Sequence, residues 1–376
     1  MSIVIQTIAA IRETEKYAEK SKLLHLLLGA ISNKKYRLSP EEKTEFSAFI
    51  FKEIEHLLLL IPSLQSYKEK DFLFEYWYHL QDAVMTCYRT AEELSEEQQR
   101  NIERLVELTE KERFLENMID EIFTKKKTDA ETVRYMIAMT GLAKEEYHKG
   151  KLYQGLLHYQ RSIVKLPAEC RDLIGAHIQS EMARYLENPL TPDIEANLEL
   201  ICDICRYFGK DRFAPLLKKA LWVGNIHIRF YAVATLLIFN CEIPVTVIEA
   251  LANDMEYANL TYGLLKKCRR ENLFPAALAT PEYLAQSDLS RWLTYPTELG
   301  KTPDEIEYLG SVRKGEIFYI FRFRSDSANL DEELRGEWLI GWSGNHGGTF
   351  SNFDLYRDYE QETVQKTLKY IKKKLL

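Results

Sequence analysis

The sequence predicts a mainly α-helical protein that ends in a small α+β unit, and three observations carry that prediction. Across residues 1–295 apolar side chains recur at intervals of three and four, broken by short polar or proline-bearing turns. Between those helices no strand runs into a glycine-rich turn, as a Rossmann or P-loop core would require. From Glu305 onward the period drops to two. A length of 376 residues exceeds one core of ordinary size, so more than one unit is expected. These shifts divide the chain into an N-terminal helical array over 1–190, helical hairpins over 191–300 and the α+β unit over 301–376.

The helix signals are local and physical. In RLSPEEKTEF, Ser39 is placed as an N-cap, Pro40 in the first turn and Glu42 three residues past the cap, which makes a capping box. Thr128 and Glu131 in KKKTDAETVRY have the same spacing. The aromatic run FLFEYWYHL, residues 72–80, sets Phe72, Tyr76, His79 and Leu80 on one helical face and is read as core. GKLYQGLLHYQRSIVKLP, residues 150–167, has a tetratricopeptide texture without a second copy 34 residues on. Asn188-Pro189 ends a helix and Thr191-Pro192 starts the next, while Asn240 and Ile243-Pro244 mark a further stop and restart.

The clearest hairpin is FAPLLKKALWVGNIHIRFYAVATLLIFN, residues 213–240. Leu216, Leu217, Ala220 and Leu221 line its first helix, and Ile228, Ala232 and Leu236 recur at four-residue spacing on the second. This segment resembles a HEAT-type repeat, with Asn225 in the turn, Ile228-Arg229 in the family's Val-Arg place and Ala232 and Leu236 at its intervals. VIEALANDMEYANLTYGLLKK follows the same plan more loosely: Ala250-Leu251 echoes Ala220-Leu221 thirty residues later, and Asp254 takes the turn. That spacing is shorter than the roughly 40 residues of HEAT and armadillo repeats. DLSRWLTYPTELGKTPDEIEYLG, with Trp292, Leu293 and Tyr295 ending a last helix, looks like the tails of uncharacterised bacterial HEAT-like proteins. The resemblance implies an α-helical solenoid, whose curved surface in that family mostly binds other macromolecules.

In the final unit, Ile317, Tyr319, Phe321 and Phe323 alternate with Phe318, Ile320, Arg322 and Arg324. Together with IEYLGSV and EWLIGWSG, this run predicts three short antiparallel strands, followed by a closing helix with Val364, Leu368 and Ile371 inward. So small a unit needs support, and it is expected to pack on the last helices of the array.

Composition narrows the function. Hydrophobic residues make up 46% and charged residues 28% of the chain, as in an ordinary soluble globular protein. The net charge of −7 and pI near 5.8 disfavour general nucleic-acid binding, which needs clustered cations, and suit a protein partner. The N-terminus lacks the pattern of a signal peptide, and the longest apolar run falls far short of the roughly 20 residues of a membrane span, so a cytoplasmic location is expected. Six irregularly spaced cysteines make no disulfide framework. Cys202 and Cys205 form a CxxC without the second pair or histidines of a zinc site, and are read as buried thiols on a helix face.

No stretch matches a motif with an obligatory chemistry, and neither a cofactor nor a metal is expected. The most unusual passage is GEWLIGWSGNHGGTFSNFDLY, Gly336 to Tyr356; within it GNHGG, Gly344 to Gly348, could be a catalytic loop using His346, an exposed recognition loop or, as glycine-rich turns after strands ordinarily are, simply a chain reversal. Trp338 and Trp342 share one strand face. Glu53, Glu55, Glu145 and Glu146 are read as ordinary helix-surface acids. The contact residues nominated for a protein partner are Arg229, Lys266, Lys267, Arg270, Arg322, Arg324, Trp342 and His346. Two alternatives are an enzyme gripping nucleic acid on a HEAT-like scaffold, as DNA glycosylases do, and a small-molecule enzyme using the 344–348 loop.

Overall fold

Short-range rules decide most of the helices. In the computed structural model, Ser39 and Glu42 form the reciprocal box: the Ser39 amide donates to Glu42 Oε2 at 2.7 Å and the Glu42 amide donates to Ser39 Oγ at 3.2 Å. The structure describes residues 2–32, 38–60, 146–314, 316–346, 349–352 and 357–358. It also describes single positions 76, 79, 80, 82, 83, 86, 123, 130, 133, 134, 136, 137, 140, 366, 369 and 373. The capping pair at Thr128 and Glu131 and the inward residues Val364, Leu368 and Ile371 lie outside them.

The chain forms two units, Met1–Gly209 and Lys210–Leu376. The hairpins after 210 and the sheet belong to the same unit.

In the first unit, α1 (Ile3–Glu13) buries Val4, Ile8 and Ile11 against α2 (Tyr17–Ser32) and α3 (Pro40–Leu60). Tyr76 and Leu80 are fully buried, as the aromatic run predicts, and the Tyr76 hydroxyl donates to Glu53 at 2.8 Å. Further on come α4 (Glu146–His158), α5 (Gln160–Ile163), α6 (Ala168–Glu187) and α7 (Pro192–Ile204), with Thr191 accepting from the Ile194 amide as the N-cap of α7. Cys202 and Cys205 are fully buried, and burial pushes both thiols above the usual range.

The second unit opens with α8 (Lys210–Ala220), α9 (Ile226–Ile238), α10 (Val245–Asn253), α11 (Ala258–Lys267) and α12 (Pro281–Leu293). Leu217, Ala220, Leu221, Ile228, Ala232 and Leu236 are buried, so the hairpin stripes lie where the spacing put them. The three expected strands follow as β1 (Glu305–Lys314), β2 (Glu316–Arg324) and β3 (Leu339–His346). Two short strands, β4 (Thr349–Asn352) and β5 (Arg357–Asp358), both pair with β3. All pairings are antiparallel in the order β1-β2-β3-β4, with a bulge in β1 between Tyr308 and Gly310.

Tyr319, Phe321, Phe323 and Leu339 share one core with Ala285, Leu289 and Leu293 of α12, so the sheet does rest on the last helix. Gly341 permits that approach, since a Cβ there would stand 3.2 Å from both Leu289 and Phe323. Among the described residues, no helix is long and apolar enough to cross a membrane.

Candidate interaction surface

The two hairpins of the second unit are built on one template. Asn225 Oδ1 accepts from the amides of His227 and Ile228 at 2.8 and 3.4 Å, which caps α9. Asp254 Oδ1 accepts from Glu256 and Tyr257 at 2.9 and 3.2 Å ahead of α11. At the other end, Asn240 and Arg269 both take the left-handed conformation, with φ of 53° and 56°. Around them the hydrogen bonds repeat: Cys241 N to Leu236 O at 2.9 Å matches Arg270 N to Leu265 O at 2.8 Å, and Asn240 N to Leu237 O at 2.9 Å matches Arg269 N to Lys266 O at 3.0 Å. This is a Schellman motif made twice. From Asn225 to Asp254 and from Asn240 to Arg269 is the same step of 29 residues.

Side chains staple the copies together at both ends. The Tyr257 hydroxyl meets His227 Nδ1 beside the caps. At the far end Arg270 donates to Cys241 O at 2.7 Å and to Asn240 Oδ1 at 2.8 Å. From α11, Asn259 donates to Asp288 Oδ1 at 3.2 Å, and Ser343 of β3 donates to Asp288 Oδ2 at 2.9 Å, so one carboxylate joins hairpin, α12 and sheet. Burial raises the Asp288 pKa, and the bonds from Ser343 and Asn259 partly oppose the rise.

Most of the nominated contact residues are engaged inside the fold. The Arg229 guanidinium donates to Val223 O and to Gly224 O, closing the turn between α8 and α9. Arg270 is the staple just described. Arg322 and Arg324 pair across the strands with Glu307 and Glu305, and both lie over the Trp338 ring at 4.3 and 5.2 Å. Trp342 is corrected from a contact residue to a core residue, with 2% of its surface exposed; it stands opposite Ile320 on a sheet face that also buries Phe318 and Ile340. His346 ends β3 opposite Thr349, the first residue of β4, so the described part of the glycine-rich passage is strand. Gly347 and Gly348 lie outside the described residues.

Lys266 and Lys267 are exposed in the last turn of α11. Their exposed neighbours were not nominated. Arg270 bonds to the 240–241 turn, so the C-terminal ends of α9 and α11 lie side by side, and Ile238 (52% exposed) and Val245 (54%) flank that same turn. On the opposite edge Trp222 is 65% exposed, the most exposed large aromatic among the described residues, and it follows the exposed Lys218 and Lys219. A signal for Trp222 was present: it falls one position beyond the apolar pair Ala220-Leu221, in the capping turn.

No protein-family model matches this chain, no curated protein matches its sequence, and no solved structure matches its fold. Among the described residues, no group of three or more His, Cys, Asp or Glu is placed to hold a metal ion.

Proposed function

We propose that the chain is a non-enzymatic interaction protein of the cytoplasm that uses HEAT-like helical hairpins, stacked as a solenoid, to grip a protein partner along their concave face. The duplicated template carries this reading: two hairpins share a turn closed by an Asn or Asp side chain, a C-terminal cap and a 29-residue step, and stacked copies of one hairpin present a row of equivalent turns and helix ends. Such a row suits an extended partner. Trp222, an exposed aromatic of the type enriched at binding hot spots, marks one edge, and Lys266 and Lys267 with Ile238 and Val245 mark the other.

The test is a pull-down from the native cytoplasm with three baits: the unaltered chain, Trp222→Ala, and the pair Lys266→Glu with Lys267→Glu. These side chains are exposed, so their loss leaves the fold intact. Charge reversal at Arg229 or Arg270 would instead break the bonds that hold the turns. One protein captured by the unaltered bait and lost with either variant supports the reading. Equal capture by all three removes these edges as the contact surface, and nucleic acid that elutes at raised salt puts the nucleic-acid alternative first.

A further inference from the structure

The first unit contains a closed polar junction where α4, α6 and α7 meet. Glu146 of α4 accepts from Tyr185 Oη at 2.6 Å and from Arg184 Nη2 at 2.9 and 3.1 Å. Glu181 accepts from the same guanidinium at 2.7 and 3.3 Å. Lys149 Nζ lies 3.4 Å from Glu146 and 4.0 Å from Glu181. Asn197 of α7 closes the back, its Nδ2 donating to Glu146 O at 2.8 Å and to Tyr185 Oη at 3.2 Å. Two carboxylates thus balance two cations. The side chains of Glu146, Lys149 and Glu181 keep 19%, 14% and 16% of their exposure, so solvent screens these three weakly, while Arg184 keeps 37% and is screened more.

His177 sits on α6 one turn before Glu181. Its Nε2 is buried and has no hydrogen-bond partner among the described residues. Burial is the main force holding its pKa below the ordinary histidine value; Lys149 and Arg184 act with burial, and Glu181 acts against it.

We propose that this junction is an acid-sensitive clasp, in which protonation of His177 adds a third cation to a balanced set and loosens α6 from α4. A buried imidazolium requires an acceptor, and among the described residues Glu181, one turn on along α6, is the carboxylate whose charge acts on His177. Glu181 already holds Arg184, which in turn holds Glu146 across the helix boundary. Drawing Glu181 toward His177 weakens the Arg184 bridge. From α4 the groups around the junction are Glu146, Lys149 and Tyr153; from α6, Glu181, Arg184 and Tyr185; from α7, the amide of Asn197. From the described residues ahead of α4, Arg134 pairs with Glu169, two turns from His177.

The direction follows from proton counting. The folded state favours neutral His177, so it binds fewer protons than the unfolded chain through the histidine range. That contribution to stability is complete above the unfolded pKa of about 6.5 and is lost as pH falls through it and through the lower folded value. Glu146 acts in a separate window. Burial pushes its pKa up, but the bonds from Tyr185 and Arg184 and the charge of Lys149 outweigh burial and hold it below its ordinary 4.5. Its contribution is therefore present above 4.5 and is lost only in stronger acid.

The experiment is hydrogen–deuterium exchange on the full chain at pH 7.5 and 5.5, corrected for intrinsic exchange, beside an NMR titration of the His177 imidazole. The proposal expects peptides from α4 and α6 to lose protection at the lower pH in the unaltered protein and to keep it in His177→Gln. It also expects the His177 midpoint to lie below that of an unstructured histidine. Unchanged protection in the unaltered protein, equal loss in His177→Gln, or a midpoint at or above the unstructured value overturns it. The titration decides on the unaltered chain alone, so the proposal stays testable even where the variant fails to fold.

Discussion

At the scale of single residues, Gly150 and Asn197 show how far local propensity can be reversed by packing. Glycine inside a helix ordinarily costs about 1 kcal/mol relative to alanine. At Gly150, however, a Cβ would stand 2.4 Å from Asn197 Oδ1, inside any allowed contact, and Asn197 cannot withdraw without giving up its bonds to Glu146 and Tyr185. Gly150→Ala is thus expected to destabilise the first unit by about 1–3 kcal/mol. Gly263 in α11 is the control: nothing lies within 4 Å of a Cβ there, and Gly263→Ala should stabilise by about 0.5–1 kcal/mol. Urea midpoints at constant slope read both effects. If the two substitutions move the midpoint in the same direction, Asn197 yields more readily than its hydrogen bonds suggest. Sequence alone could not separate these glycines, because both sit in helical patterns and the clash comes from a residue 47 positions away on another helix. Trp222 and Trp342 are a similar case. Even spacing put Trp342 on a strand face, but only the packing shows that both faces of the sheet are buried there while Trp222 stands in water. Glu53 and Glu146 also escaped notice as ordinary surface acids, since their partners Tyr76 and Tyr185 come from distant helices.

At the scale of elements, the helix ends were legible because caps are written in a few adjacent residues. Ser39 with Glu42, Thr191-Pro192 and Asn225 each cap the helix that follows them, and Asp254 closes the turn ahead of α11. Of the C-terminal caps, Asn240 was legible as a stop, but Arg269 was not, since its left-handed position holds neither glycine nor asparagine. A left-handed residue with a Cβ costs roughly 1–2 kcal/mol, and glycine escapes that cost while losing some chain entropy. Arg269 is exposed and its side chain makes no bond that the Schellman geometry requires. Arg269→Gly is accordingly expected to stabilise the second unit by up to about 1 kcal/mol, seen as a raised thermal midpoint with the same circular dichroism spectrum. A lowered midpoint would mean that the arginine holds α11 through its side chain rather than merely filling a turn. The five-stranded sheet was partly hidden for a related reason: β4 and β5 are too short to show an alternating pattern, and only their pairing with β3 identifies them.

At the scale of the whole molecule, what the sequence could not show is where one core stops. The change of period near Glu305 reads as a domain boundary, yet α12 lies on the helical side of it and supplies Ala285, Leu289 and Leu293 to the same core as Tyr319, Phe321, Phe323 and Leu339. Periodicity reports which element a residue belongs to; it does not report which elements share an interior. A fragment of residues 301–376 would expose those four sheet residues. At about 1.5–3 kcal/mol for each fully buried apolar side chain, the loss approaches the whole stability of a small domain. A fragment of residues 210–376 keeps α12 on the sheet and keeps both hairpins with their staples at Tyr257 and Arg270. It should unfold in a single cooperative thermal transition, whereas the 301–376 fragment should show neither a transition nor dispersed amide signals. A cooperative transition in the shorter fragment would mean that the sheet stands without α12, and the core assigned to the two together would have to be divided again at residue 300.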